Sequence, residues 1–272
     1  MQALRHYLLA VQFFTRLPVT GRLAAWVGYS PAMLRASSAH FPGVGWLVAA
    51  VAIAIYAALW QALGGPQGGS QGFVPLVAAV GSTIATVLVT GGFHEDGLAD
   101  VADGLGGAYQ RERALEIMKD SRMGAFGAMA LVLALAAKLA LLAHLGSLGL
   151  TCVLAALAGG HVLSRLWPLA VVRALPHVGD TATSKSKPLA DQITGAALAA
   201  AALWCFLPLA LVWQALGAHV LIAAVLASAL GAAWTLWRFA RRLQGFTGDC
   251  LGATQQVAEI GFYLGAAIAL AR

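Results

Sequence analysis

Apolar runs of near-constant length recur along the chain, at about 44–63, 73–92, 124–144, 150–172, 193–213 and 219–237, with a shorter one at 257–271. Roughly 20 consecutive apolar residues cross the hydrocarbon core of a bilayer as a helix, so the pattern predicts an all-α, polytopic transmembrane bundle of about seven spans. Whether 257–271 crosses fully is left open by its length. Ala, Leu, Val and Gly dominate these runs, as in helices that pack closely within a membrane. Residues 1–17 differ, because basic side chains interrupt the apolar pattern before Pro18. They read as an amphipathic helix lying at the interface. The whole chain, 1–272, reads as one membrane-embedded domain with an acidic site on its cytoplasmic side.

Composition strengthens this reading. Of 272 residues 60% are hydrophobic and 10% charged, with a mean hydropathy of +0.79. A water-soluble globule is excluded, since such domains carry about 25% charged residues. The connections at 64–72, 143–149 and 214–218 hold no Lys, Arg, Asp or Glu, whereas 93–123, 173–192 and 238–256 hold most of them. Of 17 Lys and Arg residues, all but Lys138, Arg165 and Arg272 fall on that second face or in the N-terminal region. By the positive-inside rule this face is cytoplasmic. The 11 acidic residues gather there too. Lys138, nearer the outer end of its span, is expected to snorkel.

Several classes drop out. No basic run with interleaved aromatics suggests nucleic acid. Cys152, Cys205 and Cys250 are too scattered for a disulfide framework or a zinc site, and no cleavable signal peptide is evident. A transporter places ionisable groups near the midplane. Here the midplanes read as nearly bare and no internal repeat is visible, which favours chemistry on a cytoplasmic substrate.

The acids are concentrated. Glu95, Asp96, Asp100, Asp103, Glu112, Glu116 and Asp120 stand close together, most densely in GGFHEDGLADVADGLGG, 91–107. On a helix, Asp96, Asp100 and Asp103 share an arc of roughly 60° and repel one another unless a cation lies between them. Such hard oxygen donors suit Mg²⁺ or Mn²⁺, shared with substrate phosphates. A solvated acidic loop is the alternative; the i, i+4, i+7 spacing directly against a span argues against it. Glu95 projects to another side and His94 points away from the three Asp. Asp120, ahead of the 124–144 span, offers a further carboxylate from a second helix. Between them, YQRERALEIMKDSRMGAFG reads as a short interfacial helix whose Arg111, Arg113, Lys119 and Arg122 either hold phosphate oxygens or anchor the topology.

Elsewhere, His161 and Arg165 lie at i, i+4 inside an apolar span, where an arginine needs a cavity, a partner or a bound anion. The polar stretch 183–187 is a loop able to close over an anionic substrate, or a solvated linker. Residues 245–253 form a glycine-rich turn bearing Asp249, with Glu259 following near the start of the last apolar run. Trp167, Trp204, Trp213, Trp234 and Trp237 read as an interfacial belt.

HEDGLADVADGL, LEIMKDSRMGAFG and GDCLGATQQVAE, with the opening LLAVQFFTRLPV, strongly resemble the membrane-bound cobalamin synthases, the adenosylcobinamide-GDP ribazoletransferases. The resemblance covers nearly the whole chain. It implies joining of adenosylcobinamide-GDP to α-ribazole or its 5′-phosphate, with release of GMP and with Mg²⁺ as cofactor. Carried over onto this sequence, the motif acids are Asp96, Asp100, Asp103 and Asp120, with Glu95 and Asp249 as further members. Partners are then the corrinoid nucleotide, α-ribazole and membrane lipid; a homo-oligomer, such as a dimer, stays open. Two rivals fit less well. A CDP-alcohol phosphotransferase requires DGxxAR followed by GxxxDxxxD, and Asp96-Gly97-Leu98-Ala99-Asp100 does not continue in that way. A UbiA-type prenyltransferase requires a second Asp-rich motif, which is missing.

Overall fold

A computed structural model describes residues 1–64, 72–179 and 193–271. The polar stretch 183–187 lies outside them. Among the described residues the regular structure is helical: α1 (Gln2–Phe14), α2 (Gly21–Val27), α3 (Pro31–Ser37), α4 (Phe41–Ala62), α5 (Val74–Thr90), α6 (Phe93–Gly107), α7 (Arg111–Ile117), α8 (Ala125–Leu148), α9 (Leu150–Leu163), α10 (Trp167–Ala174), α11 (Gly195–Leu216), α12 (Ala218–Arg242) and α13 (Gly248–Leu270).

Five of these stretches are long and apolar enough to cross a membrane: Pro31–Ala62, Ala125–Leu148, Leu150–Ala174, Gly195–Leu216 and Ala218–Arg242. A sixth is added if α5 and α6 count as one broken span. The chain is therefore a polytopic all-α membrane protein, with five or six such apolar spans among the described residues against about seven expected.

The two differences from the expected spans have clear causes. The 73–92 run stops at Thr90 because Gly91 and Gly92 both adopt φ 70°, a left-handed conformation that favours glycine. The chain turns through 88° there, and α6 lies across the end of the bundle instead of continuing α5. The last run, expected at 257–271, begins nine residues earlier at Gly248. Polar residues masked its start: Thr254, Gln255, Gln256 and Glu259 are all buried inside the protein.

α12 and α13 form an antiparallel hairpin. A Cβ on Gly231 would lie against Val257, one on Gly261 would meet the Ala227 carbonyl at 2.7 Å, and one on Gly265 would collide with the Ala223 carbonyl. Thr235 and Thr254 exchange a hydroxyl hydrogen bond at the other end of the same seam. Gly261 and Gly265 are four residues apart, the spacing at which small residues let membrane helices approach closely. α13 thus runs alongside the apolar α12. Glu259, 11 residues in, sits about 16 Å along the helix, near the middle of the bundle.

That position corrects two expectations. The midplane is not bare, and Lys138 does not snorkel: its Nζ stands 2.6 Å from Glu259 Oε1, with both side chains buried. The tryptophans divide as well. Trp213, Trp234 and Trp237 are exposed as a belt requires. Trp167 instead donates to Ser228 Oγ, and Trp204 stacks on Tyr7 and donates to His40.

At the N-terminus, α1 is amphipathic as expected and buries Leu9, Ala10, Val11 and Phe14. Phe14 stacks on Phe41 of α4 with centroids 4.1 Å apart, so α1 is part of the packed bundle as well as its surface.

Candidate active site

α6, the start of α13, the end of α1 and the Gly91–Gly92 turn meet at one end of the bundle. Gly97 makes this possible: a Cβ there would stand 2.7 Å from the Asp249 carbonyl oxygen. Gly252 similarly lies against the His94 backbone. Backbone bonds between Val178 and Phe246, and between Phe246 and Pro176, hold the turn from which α13 departs.

The result is a cleft of about 560 Å³ lined by Asp96, Asp249, Gln12, Thr15, Arg16 and Thr90, among others. Asp100 stands one helical turn along α6, half-buried. Burial, reinforced by the nearby charges of Asp249, Asp96 and Asp103, pushes its carboxyl up to about 7. Three acids thus share a region where their mutual repulsion is only partly offset. Arg16 is the cation on the cleft wall, its side chain crossing Gly91 and its backbone N–H donating to Val89 at 2.6 Å.

The remaining acids have other surroundings. Asp103 is buried, and its two oxygens accept the backbone N–H groups of Gly124 and Gly127, each at 2.7 Å. It closes the N-terminus of α8, where the free amides and the helix dipole favour an anion. The glycines of the MGAFG segment are required there, because a methyl on either would collide with the Asp103 carboxylate. Glu95 faces the protein interior, accepting from Gln256 Nε2 at 3.0 Å. Asp120 lies near the surface, paired with Arg122 at 2.6 Å, whose hydrogen bonds hold its carboxyl down to about 2.

The basic candidates are likewise sorted. Arg111 donates to the Leu243 carbonyl at 2.6 Å, and Arg242 donates to that of Ala108 at 2.5 Å, so the pair ties α7 to the end of α12. Arg113 pairs with Glu116 at 2.6 Å in solvent. Lys119 and Arg122 are exposed. His161 and Arg165 are buried, far from solvent: Arg165 donates to the His161 carbonyl at 2.6 Å and lies over the Phe41 ring, while His161 Nδ1 is 3.3 Å from Glu259.

Among the described residues, no three His, Cys, Asp or Glu side chains enclose a metal site by themselves. The donor set nevertheless fits Mg²⁺, which commonly takes one or two carboxylates and completes its shell with water and substrate phosphate. Asp96 and Asp100, on one face of α6, are the residues that would hold it.

Sequence reasoning missed Gln12, Thr15 and Arg16, which stand at the end of α1 and in the extended residues that follow it. It also missed the roles of Lys138, Gln255 and Gln256.

With this geometry in view, comparison with known proteins gives a consistent result. A model of the cobalamin-5-phosphate synthase family matches residues 6–267. A protein of Polaromonas naphthalenivorans named adenosylcobinamide-GDP ribazoletransferase is 62% identical over 99% of this chain and 100% of its own length. One of the same name from Albidiferax ferrireducens is 59% identical over 99% of both chains. Another from Vibrio cholerae is 39% identical over 95% of this chain and 91% of its own. No solved structure matches. The acid-lined cleft at the end of a helical membrane bundle, and the match along almost its entire length, place the chain in the cobalamin-5-phosphate synthase family.

Proposed function

We propose that this chain joins adenosylcobinamide-GDP to α-ribazole or its 5′-phosphate and releases GMP, working at the cytoplasmic face of a bacterial inner membrane with Mg²⁺. The observation that carries this reading is the gathering of Asp96 and Asp249 with Arg16 on one cleft, with Asp100 beside the two acids, at the end of the bundle where the basic residues of α7 and α12 also lie. Relatives 62% and 59% identical to this chain over nearly its full length are named adenosylcobinamide-GDP ribazoletransferase.

Phosphoryl-group transfer asks little covalent work of a protein; it asks for alignment and for neutralisation of charge. Mg²⁺, when bound, would supply the positive charge that neutralises the diphosphate. Arg16 would take diphosphate oxygens, for which a guanidinium fork is well shaped. The ribazole ribose hydroxyl then attacks the phosphorus nearer the cobinamide. An oxygen–phosphorus bond forms, the bridging oxygen–phosphorus bond breaks, and GMP departs with the bridging oxygen. The hydroxyl proton passes to a carboxylate of the cleft, for which Asp249 is suitably placed on the wall. Asp103 and Glu95, turned away from the cleft, serve the framework that holds these groups.

The test is GMP release by protein reconstituted in liposomes, given adenosylcobinamide-GDP and α-ribazole with and without Mg²⁺. Activity requiring both substrates and Mg²⁺ is expected, with a loss of at least about 100-fold in Asp100→Asn. Near-normal turnover by that variant, or by the protein in chelator, would contradict the reading.

A further inference from the structure

Beneath α6, at the bundle core, a line of buried polar side chains runs from α8 to the residue that precedes Asp96. Lys138 Nζ lies 2.6 Å from Glu259 Oε1. Gln255 Nε2 donates to Glu259 Oε2 at 2.6 Å and to Ser164 Oγ at 2.9 Å. Gln256 Nε2 donates to Gln255 Oε1 and to Glu95 Oε1, both at 3.0 Å. Tyr263 adds a hydroxyl bond to Glu259 at 3.0 Å.

Each glutamine amide has two protons, and each spends both within this line. Neither can rotate without stranding a buried partner, which costs the desolvation of that group. Buried networks in which the donors are committed to fixed partners hold their members in one arrangement. The line ends on α6, where side chains one residue apart point about 100° away from each other. Glu95 therefore points into the core while Asp96 lines the cleft. Asp103 pins the far end of α6 to α8, while the Gly91–Gly92 turn leaves backbone freedom at its start, so the roll of the first turns needs a separate anchor.

We propose that Gln256 is a positioning residue: by holding Glu95 it sets the roll of α6, and with it the direction in which Asp96 and Asp100 meet the substrate. The Lys138–Glu259 pair and Gln255 are the anchor from which Gln256 acts. Glu95 works through its acceptor oxygen and does not touch substrate. The proposal rests on the transferase reading above.

A purely structural role would lower stability and spare the kinetics of whatever protein remained folded. Positioning instead moves kcat while KM stays near its original value. Misplacing a reacting group by about 1 Å can cost up to ~100-fold in rate. The experiment measures GMP release by wild type, by Gln256→Met, and by the double variant Glu95→Met with Gln256→Met, each selected for monodispersity and thermal midpoint before assay. Gln256→Met should lower kcat by about 10- to 100-fold with KM for adenosylcobinamide-GDP within about threefold. Because Gln256 acts only through Glu95, the double variant should be about as slow as Gln256→Met. Should Gln256→Met fail to fold, Glu95→Gln alone is decisive: it keeps the oxygen that Gln256 bonds and should retain kcat within about tenfold.

A Gln256→Met protein with kcat near wild type overturns the proposal. So does a folded double variant far slower than Gln256→Met, or a folded Glu95→Gln that is inactive, since both assign the Glu95 carboxylate a direct role. In each case an active wild type confines the failure to the positioning role. A wild type that releases no GMP overturns the transferase reading as well.

Discussion

Lys138 and Glu259 meet 2.6 Å apart in the interior of the bundle, each more than 95% buried, on helices that are far apart in sequence. Removing Lys138 leaves Glu259 as a buried charge without its ion-pair partner, held only by Gln255, Tyr263 and His161, and breaking a buried pair costs up to about 3–5 kcal/mol. Lys138→Met is expected to lower the thermal midpoint in detergent sharply. The double variant Lys138→Met with Glu259→Gln should be more stable than Lys138→Met alone, because the glutamine amide leaves no stranded charge. Additive losses in the double variant would show that the two side chains are not coupled.

The buried acid at position 103 leads to a separation of roles within one motif. Asp103 accepts two backbone amides at the start of α8, whereas Asp100 stands among other carboxylates beside the cleft. Replacing a helix-capping side chain by alanine costs about 0.5–2 kcal/mol. Asp103→Ala should therefore reduce the thermal midpoint. Asp100→Ala should leave it unchanged or raise it, since it relieves repulsion, while abolishing GMP release. Circular dichroism melts of the two proteins, compared with their turnover, check this. Equal midpoints would remove the capping role.

This division shows where the sequence stops being informative. Spans at 44–63, 124–144, 150–172, 193–213 and 219–237 could be read because lipid contact demands long apolar runs, and the structure has helices at each. The i, i+4, i+7 arrangement of Asp96, Asp100 and Asp103 is a true helical face of α6. Which neighbour that face meets depends on a turn at Gly91–Gly92 that no hydropathy pattern displays, so one face delivers Asp96 to a cleft and Asp103 to the amides of α8. α13 was shortened in the reading for a related reason. Its Gln255, Gln256 and Glu259 look like an interfacial stretch when counted alone, yet they satisfy one another and Lys138 inside the bundle. Arg16 is not marked by the sequence because an arginine just past an amphipathic N-terminal helix is ordinary until the fold brings it beside two aspartates.

The α12–α13 seam makes a packing prediction. Gly265 faces the Ala223 carbonyl with no room for a methyl, and Gly261 faces that of Ala227 at 2.7 Å from a would-be Cβ. Overpacking a close helix contact typically costs about 1–3 kcal/mol. Gly265→Val should lower the thermal midpoint more than the same change at Gly195, where a Cβ meets nothing within 4 Å and the backbone is not left-handed. Because α13 also carries Asp249 and Glu259, the Gly265→Val protein that remains folded should lose activity too. A normal midpoint would mean that the two helices are not held at this distance.

Arg16 offers the sharpest test of what the cleft binds. It is exposed, so replacing it strands no buried partner, and its guanidinium shares the cleft wall with Asp96 and Asp249. If it takes oxygens of the diphosphate, its removal withdraws a charge-assisted hydrogen bond of about 1.5–3 kcal/mol. That corresponds to roughly 10- to 150-fold in binding. Arg16→Gln should raise KM for adenosylcobinamide-GDP by about that factor and leave KM for α-ribazole close to its original value. Lysine should restore part of the affinity, since it returns the charge without the fork. Equal changes in both Michaelis constants would place Arg16 on the common framework of the site, and no change in either would put the diphosphate elsewhere in the cleft.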